Sequence, residues 1–529
     1  MALSQDKRRN TVSSPHQRIK KKGSIYLPMI TWGISANSHD AALAVFRDRQ
    51  KGLTHRREFE LLFASHTERF SRIKNDAHLN QEIVDYALQW GKPDEIVWYE
   101  RPFLKTLRQF WAGQGWRRQE NNIPEYLAQW GIAAPVKYVS HHHSHAAAGY
   151  YTSGYDDAAI LCLDSIGEFE TLTMWEGKGN KLHKIFSQSY PHSVGLWYSA
   201  MTQRVGLKPN EDEYVLMGMA AYGDFKKLSS HINIDFINKW PTIGDPSVRF
   251  KQNLHRGCRN WRPDLTVEQD QFDIAAATQI TYERIFEYIL QDVSTRIPSK
   301  NLVLVGGCAL NCAANSIARK YYRNVWIMPN PGDAGSSVGA VLARKRTHIK
   351  WPGPYLGYEI KGEYPVEKVA RELLANGICG VANGRAEFGP RALGNRSLLA
   401  DPRGADTRDR VNSIKQRQEF RPFAPAILAE HADRYFSGIT GPYMQFTAVC
   451  RDPQQFPAIV HADGTSRVQT VAADDSSSPG FRRLLEWWYG VTGCPILLNT
   501  SLNIKGQPIV NTAADAREFE SKYGVRVFT

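Results

Sequence analysis

The 529-residue chain contains no apolar run near the ~20 residues that a membrane-spanning helix requires. Its first residues are polar and basic, and they lack the apolar core of a secretion signal. The seven cysteines are odd in number and form no Cys-x-x-Cys pair, which is typical of a protein in a reducing compartment. We therefore expect a cytoplasmic protein with no membrane segment.

What the composition does contain is a large apolar fraction. Apolar residues make up 42% of the chain and aromatic residues 11%, which indicates a globular protein rather than a disordered one. The length exceeds that of a usual single core, so two or more domains are expected.

Positive charge is concentrated at the start of the chain. The net charge is +13, and the first 22 residues hold seven lysines and arginines against one aspartate. We interpret residues 1–27 as a basic, disordered tail. Such a tail either binds nucleic acid or another polyanion, or is a plain solvated extension, so nucleic acid stays open as a partner.

A repeated pattern of strands suggests two related lobes. Alternating and apolar segments predict strands at 29–34, 41–46 and 61–65. Near residue 158 the pattern returns, with predicted strands at 158–163 and 171–175 and a turn between them. The chain therefore is expected to open each lobe with a similar β-hairpin.

The middle of the chain has the order of a parallel α/β sheet. Apolar residues recur at helical spacing over 273–296, and a buried-type strand at 302–305 then ends in two glycines. A Pro/Gly-rich join at 351–354 marks a domain boundary. We accordingly divide the folded chain into domains at 28–350 and 351–529.

A histidine cluster follows the short predicted strand that ends at Val139. His141 and His145 are four residues apart at the start of a predicted helix, so they project from one face, one turn apart. Two neutral imidazoles in this arrangement can bind one divalent metal ion. A hydrated, His-rich helix start is the alternative.

Two aspartates complete a possible ligand set. Asp164 follows an apolar strand, where a carboxylate is costly unless it is paired, although it could also cap a turn. Asp333 lies in a glycine-rich turn. With His141 and His145 they supply two nitrogen and two oxygen ligands, which suit Fe(II), Zn(II) or Mn(II) without selecting among them.

Two glycine turns predict a nucleotide cleft between the lobes. Gly306 and Gly307 end a strand and lead towards a helix, and Gly332 and Gly335 surround Asp333. Without side chains, these positions let a phosphate approach backbone N–H groups. Tight turns alone are the alternative interpretation.

The second domain carries basic residues in segments broken by proline and glycine. A guanidinium presents a planar fork that matches phosphate oxygens. A late strand near residue 498 adds hydrogen-bonding side chains. The candidates for anion contacts are Arg391, Arg396, Lys415, Arg417, Arg421, Ser501 and Asn503.

These motifs, in this order, resemble the NodU/CmcH-type O-carbamoyltransferase family. The matching segments lie at 33–42, 68–74, 141–145, 164–168, 208–223, 306–312, 332–333, 388–403, 415–425 and 497–503. The resemblance covers about residues 29 to 515. It implies a duplicated RNase H-like domain of the actin/hexokinase (ASKHA) type, followed by a YrdC-like α/β domain.

The resemblance also implies roles for individual residues. The family's metal ligands correspond to the two histidines and two aspartates above, and His39 corresponds to a histidine beside the acceptor site. The nucleotide site of the first domain would include Asn311. Phosphate and carbamoyl contacts correspond to Arg391, Lys415, Arg421, Ser501 and Asn503, with Arg396 and Arg417 as weaker matches.

The implied activity is ATP-dependent O-carbamoyl transfer. Carbamoyl phosphate and ATP, the latter with Mg²⁺, would form carbamoyladenylate in the second domain. The carbamoyl group would then pass to a hydroxyl of a small-molecule or nucleotide acceptor, with His39 orienting or deprotonating that hydroxyl. The alternatives are an ASKHA-type kinase or ATPase, a tRNA threonylcarbamoyl-type transferase, and a nucleic-acid-binding protein. The sequence does not select the acceptor, the metal or the oligomeric state.

Overall fold

The structure, a computed structural model, has a mixed α/β architecture and describes residues 28–50, 57–421, 423–475 and 477–529. The predicted basic tail at 1–27 lies outside the described residues, so that prediction stays untested. No helix in the described ranges has the length and apolar character needed to cross a bilayer.

The first sheet has five strands in the order β3-β2-β1-β4-β5. Strands β1 to β3 run antiparallel, and β4 and β5 continue the sheet in parallel with β1. Buried β-branched and aromatic residues of β1, such as Ile30 and Trp32, favour this pairing. The strands are β1 (Met29–Ser35), β2 (Ala42–Gln50), β3 (Arg57–His66), β4 (Glu95–Trp98) and β5 (Val136–Tyr138).

The second sheet repeats this topology. Its order is β8-β7-β6-β11-β12, again with three antiparallel strands followed by two parallel ones. The predicted second hairpin therefore forms, as part of a larger duplication. The strands are β6 (Asp157–Gly167), β7 (Glu170–Lys178), β8 (Lys181–Ser189), β11 (Asn301–Val305) and β12 (Asn324–Trp326), and a separate ribbon is formed by β9 (Ile237–Lys239) and β10 (Arg249–Phe250).

Two predicted strand ends are displaced. Strand β6 continues past Leu163 through a pairing irregularity to Gly167, so Asp164 lies within the strand rather than in the turn after it. The apolar residues Ile327 and Met328 predict a strand that ends with them, but strand β12 ends at Trp326 and they follow it. Both differences arise where the chain turns toward the centre of the protein. The local apolar pattern of the sequence does not report such a turn.

Eleven helices are described in the first part of the chain. The longest, α9, matches the predicted helix at 273–296 and begins five residues earlier. The helices are α1 (Glu68–Ser71), α2 (Gln81–Leu88), α3 (Pro102–Trp111), α4 (Ile123–Ala128), α5 (His141–Ser153), α6 (Val194–Arg204), α7 (Glu213–Met219), α8 (Ser229–Phe236), α9 (Glu268–Arg296), α10 (Cys312–Asn315) and α11 (Ser336–Lys345).

Helices α5 and α11 pack against each other between the two sheets, α5 on the second sheet and α11 on the first. Small residues allow this close approach. A Cβ at Gly339 would lie 1.9 Å from the Ser144 carbonyl oxygen, and one at Gly149 would lie 2.5 Å from a Val303 methyl group. The Ala and Gly content of α5 therefore serves packing between the lobes.

The C-terminal part has its own six-stranded sheet, with helices on both faces. Its order is β21-β17-β22-β16-β14-β23. The strands of this part are β13 (Tyr355–Ile360), β14 (Ile378–Ala382), β15 (Gly384–Glu387), β16 (Arg396–Ala400), β17 (Ala424–Leu428), β18 (Phe436–Ser437), β19 (Ala448–Cys450), β20 (Thr465–Ser466), β21 (Gln469–Val471), β22 (Ile496–Ser501) and β23 (Val527–Phe528). Its helices are α12 (Val366–Asn376), α13 (Thr407–Lys415), α14 (Ala432–Tyr435), α15 (Pro479–Thr492) and α16 (Ala513–Tyr523).

Arginines join this part to the first one. The buried guanidinium of Arg69 donates to the Gly389 carbonyl at 2.9 Å, and that of Arg72 donates to the Ile509 carbonyl at 2.6 Å. On another side, the His461 ring lies 2.9 Å from the Gly218 carbonyl oxygen. These contacts bring the C-terminal sheet over the open side of the two lobes.

The contact between α5 and α11 gives a stability prediction. We expect Gly339→Ala to lower the free energy of unfolding by about 1–3 kcal/mol, because the new methyl group overlaps a backbone oxygen that cannot rotate away. Chemical denaturation followed by circular dichroism measures this change.

Gly490→Ala is the matched control. Gly490 also lies inside a helix, α15, but a Cβ there meets no atom within 4 Å. We expect this variant to gain about 0.5–1 kcal/mol, because alanine has less backbone freedom to lose. Equal effects of the two substitutions would contradict the packing argument.

Candidate active site and metal centre

The four predicted metal ligands converge at the centre of the first domain. The first turn of α5 presents His141 and His145, strand β6 presents Asp164, and the turn before α11 presents Asp333. The two Nε2 atoms are 3.0 Å apart, and each lies 3.3 Å from Oδ1 of Asp333. Oδ2 of Asp164 lies 3.3 Å from His141 Nε2 and 3.9 Å from His145 Nε2.

This arrangement fits a divalent cation. The four ligand atoms lie within 4.8 Å of one another, and all four side chains are buried. Ligands held at about 2.1 Å from one ion lie about 3.0–3.4 Å from each other, which is close to the observed spacings. The nitrogen and oxygen donors suit Fe(II), Zn(II) and Mn(II) alike, so the donor set does not select the metal.

Neighbouring groups orient these ligands and set their charge. Gly307 donates its N–H to Oδ1 of Asp164 at 3.0 Å, and Ser336 Oγ lies 3.3 Å from His145 Nδ1. Burial by itself raises the pKa of the Asp333 carboxyl, but the adjacent imidazoles outweigh it and hold that pKa well below its usual value. Both carboxylates are therefore charged and ready to bind a cation.

His39 lies at the rim of this cluster. Its Nδ1 is 3.2 Å from Asp40 Oδ2, and its Nε2 is 3.9 Å from Asp333 Oδ2. Partial burial lowers the pKa of the His39 imidazole, but Asp40 and Asp333 outweigh burial and raise it to about 10. Its use as a base therefore depends on positive charge between the carboxylates, which would lower that pKa again.

A second group of charged side chains comes from the C-terminal part. Arg391, Arg417, Arg421 and Arg467 line one cavity together with Ser501. Burial and the charges of Arg467 and Arg421 lower the pKa of Arg391 to about 9. Within the described residues no carboxylate pairs with Arg391, Arg421 or Arg467. These three guanidinium groups are therefore available to bind anions.

The guanidinium planes are held in place by aromatic rings. The Arg421 guanidinium lies 4.7 Å from the centre of the Tyr214 ring, and that of Arg417 lies 3.9 Å from the centre of Phe423. Stacking of this kind fixes the orientation of a guanidinium plane. Arg417 is held further by the hydrogen bond that its Nε–H donates to the Asn412 side chain at 2.8 Å.

Lys415 is buried and lies beside the strand end that carries Ser501. Its ammonium is within hydrogen-bonding distance of the Ser501 carbonyl and hydroxyl oxygens, and of the carbonyl and side-chain oxygens of Asn503, the latter at 2.9 and 3.1 Å. An ammonium has three N–H donors, and these four oxygens surround it. Lys415 is therefore placed to position Ser501 and Asn503.

Arg396 does not join this group. Its guanidinium is fully buried and donates to backbone carbonyls on several segments, namely those of Tyr358, Asn383, Gly384, Asn395 and Asn511. All of its donors are engaged within the fold. The predicted nucleotide contact does not fit this placement, because a guanidinium with no free N–H group has nothing to offer a phosphate.

The predicted phosphate-binding glycines also divide into two sets. Gly307, Asn311 and Gly332 line the central cavity. Gly306 and Gly335 instead pack against backbone, where a Cβ would lie 2.1 Å from the Leu163 carbonyl oxygen and 1.9 Å from that of Asn330. These two glycines shape the turns without facing the cavity.

One cavity of about 340 Å³ joins the two groups. Its wall includes His39, Asp164 and Asp333 at one end and Arg391, Lys415, Arg417, Arg421, Ser501 and Asn503 at the other. Sequence reasoning missed Arg467 and Tyr214, because neither lies in a basic cluster of the sequence. Folding brings Tyr214 to this cavity, and it brings Arg467 to the neighbouring cavity that Arg391 and Arg421 also line.

Comparison with protein-family models identifies the chain. Residues 31–342 match the model described as carbamoyltransferase N-terminus, and residues 370–529 match that described as carbamoyltransferase C-terminus. The chain belongs to the carbamoyltransferase family. It is a transferase enzyme, and the family resemblance predicted from its motifs is confirmed.

Named relatives extend over most of the chain. The nodulation protein NolNO of Sinorhizobium fredii is 30% identical over 535 residues, covering 90% of this carbamoyltransferase and 76% of the relative. The 3'-hydroxymethylcephem-O-carbamoyltransferase of Amycolatopsis lactamdurans is 29% identical, covering 90% of this chain and 94% of the relative.

Solved structures give a looser likeness. Full-length HypF in its phosphate- and nucleotide-bound form matches at a TM-score of 0.33 and 11% identity, covering 61% of this chain and 56% of that one. A likeness this loose says nothing about the chemistry of this chain.

The four converging ligands predict metal binding. We expect the purified carbamoyltransferase, loaded with Fe(II), Zn(II) or Mn(II), to hold about one ion per chain by elemental analysis. His145→Ala is expected to lose that ion, because it removes one of four ligands.

His143→Ala is the matched control for metal content. His143 lies on the same helix but stacks on Trp175 at 5.3 Å instead of joining the cluster. It should bind metal as the wild type does. Loss of metal in both variants would indicate a damaged helix instead of a lost ligand.

Substitution of Arg396 should lower the stability of the fold, whereas substitution of Arg391 should not. Arg396→Gln is expected to cost at least about 2–3 kcal/mol of unfolding free energy, because several buried carbonyls lose their donors. Arg391→Gln should leave stability nearly unchanged, because it relieves repulsion among cations. Denaturant titration of both variants tests this; a stable Arg396→Gln variant would contradict the structural role.

Proposed function

We propose that this enzyme is an ATP-dependent O-carbamoyltransferase that works in two steps. Carbamoyl phosphate and ATP, with Mg²⁺, would give carbamoyladenylate at the arginine group, consuming one water and releasing phosphate and pyrophosphate. The carbamoyl group would then pass to a hydroxyl of a small-molecule or nucleotide acceptor beside His39. In fold terms, the two lobes would be a duplicated RNase H-like domain (28–350) and the C-terminal part a YrdC-like domain (351–529).

The observation that carries this proposal is the shared cavity. Arg391, Arg417 and Arg421 line the same cavity as Asp164 and Asp333 of the metal cluster, although they come from different parts of the chain. Carbamoyladenylate is labile in water, and an enclosed passage protects it from hydrolysis during transfer. Separate open sites would not need this arrangement.

The first step requires fixed positive charge. Two anionic substrates must approach each other, and their repulsion is offset by preorganised cations. Arg391 and Arg421 supply charge without an internal carboxylate partner, and Arg417 adds a third guanidinium to the same wall. The hydrogen bonds from Lys415 hold Ser501 and Asn503 at the strand end, where they could contact the carbamoyl group.

The second step takes place at the other end of the cavity. His141, His145, Asp164 and Asp333 would hold the divalent cation, which when bound stabilises negative charge on the departing nucleotide phosphate. Gly307 and Gly332 leave room for that phosphate at the cavity wall. His39 would orient the acceptor hydroxyl and accept its proton, an effect worth ~10²–10⁴ in rate.

The other functions expected from sequence receive less support. A simple kinase or ATPase would leave the arginine group and the carbamoyltransferase C-terminal match without a role. Nucleic acid remains only a predicted partner, because the basic tail lies outside the described residues.

Separating the half-reactions tests the proposal. With ATP, carbamoyl phosphate and Mg²⁺, the metal-loaded enzyme is expected to release pyrophosphate and form carbamoyladenylate, detected by mass spectrometry. Arg421→Ala should abolish pyrophosphate release, because it removes a cation from the first site. His141→Ala should retain pyrophosphate release and lose transfer.

His143→Ala serves again as the control and should support both steps. If Arg421→Ala and His141→Ala lost the same half-reaction, the two-site division would be wrong. Absence of any nucleotide-dependent product from the metal-loaded wild type would contradict the proposed chemistry as a whole.

A further inference from the structure

A second cavity, of about 470 Å³, meets the first at the metal cluster. Five residues line both cavities: His39, Asp164, Ser165, Ser199 and Asn210. The second cavity therefore reaches the proposed transfer centre at His39 and Asp164, and none of the arginines of the C-terminal part lines it. Its other walls come from α3, the loop after α3, and the turn at 254–257.

The charged side chains that line this second cavity are almost all positive. Lys105, Arg108, Arg117 and Arg256 line it, together with His255. Asp164, already part of the metal cluster, is the single carboxylate among its lining residues. A ligand that enters here meets positive charge before it reaches His39.

Two of these cations are already compensated. Lys105 donates to Glu100 at 2.6 Å, and Arg117 pairs with Glu120 at 2.9 Å. These ion pairs leave little positive charge for a ligand. The cations available to a ligand are therefore the other two arginines, Arg108 and Arg256.

Arg108 and Arg256 form no ion pair with any described carboxylate. Arg108 is nine-tenths buried, and its described hydrogen bonds go to neutral acceptors, the Glu168 carbonyl at 3.2 Å and the Gln114 side chain at 3.2 Å. Arg256 is exposed at the mouth, with its Nη2 directed toward Gly113. Burial and the charges of Arg108 and Arg256 lower the pKa of His255, which lies beside them.

A buried guanidinium without a counter-ion is costly, and a bound anion would offset that cost. Its planar fork matches phosphate oxygens better than it matches neutral hydroxyls. The donor phosphates have their own cations at the far end of the first cavity. The positive charge of Arg108 is therefore best explained by the other substrate, the acceptor.

We propose that the acceptor is a small hydroxyl compound that carries an anionic group, best matched by phosphate, which Arg108 and Arg256 bind while the hydroxyl lies at His39. This inference rests on the proposed function, since it names the acceptor class of the same transfer site. Cationic hydroxyl compounds would be poor acceptors, because Asp164 of the metal cluster is the one carboxylate among the described residues that line this cavity. Neutral ones would bind more weakly, because they leave the charge of Arg108 without a counter-ion.

Binding of a defined anion tests the proposal. The full-length, metal-loaded enzyme is first saturated with Mg²⁺ and a non-hydrolysable ATP analogue, so that the first cavity's cations are occupied. Glycerol 3-phosphate is then titrated calorimetrically, with glycerol as the uncharged comparison. We expect glycerol 3-phosphate to bind and glycerol not to bind.

Variants locate the site. Arg256→Gln should weaken glycerol 3-phosphate about tenfold, the loss typical of one charge-assisted hydrogen bond. Arg259→Gln is the matched control, since Arg259 is equally exposed, lies three residues further along and does not line the cavity. Arg108→Lys keeps the buried charge but loses the fork, and should also weaken binding if it folds.

Pyrophosphate release, measured on each variant, separates this inference from the proposed function. Normal release in Arg256→Gln with weakened glycerol 3-phosphate binding supports the inference. Normal release with no glycerol 3-phosphate binding, or with binding unchanged by Arg256→Gln, overturns the inference alone. Absence of release from the wild type overturns the proposed function and the acceptor assignment with it.

Discussion

The close contact between helices α5 and α11 is the constraint on which the site depends. One helix carries both histidines of the metal cluster, and the other begins three residues after Asp333. Gly339 lets the backbones approach until a single methyl group would overlap Ser144. Since interiors are close-packed, a small outward shift of either helix would separate the ligands by more than one coordination bond can bridge.

The duplication of the sheets gives this contact its position. Each lobe presents the same strand order, and the two lobes face each other through α5 and α11. Asp164 arises from the irregular end of β6 in the second lobe, while His39 follows β1 in the first. The candidate site thus draws on equivalent ends of the two sheets, where strands end and side chains converge.

Opposite charges are distributed over the two ends of the central cavity. Carboxylates gather at one end, where the proposed function places a cation, and guanidinium groups gather at the other, where it places the phosphates. Neither set neutralises the other, because the cavity keeps them apart. Burial of each set of like charges is unfavourable until its ligand binds. Relief of this unfavourable energy would contribute to the binding of the metal and the substrates.

Arginine shows most clearly the difference between what sequence and structure decide. Arg69 donates to one backbone carbonyl, Arg72 to two and Arg396 to five, and these bonds hold the parts together, whereas Arg391 and Arg421 face a cavity. The basic segments look alike in sequence. The two kinds of arginine differ in the number of backbone carbonyls that each can reach. That number depends on which distant segments of the chain pack around the side chain.

By itself the sequence determined the family, the two opening hairpins, the long helix and the four members of the histidine–aspartate cluster, because each has a local period or belongs to a sequence motif. It also placed the glycine turns. Tertiary structure alone decided that Asp164 lies inside a strand, that Gly306 and Gly335 are packing residues, and that Arg467, Tyr214, Arg108 and Arg256 line cavities. Those outcomes depend on contacts between distant segments, and no local pattern encodes which distant segment a side chain will face.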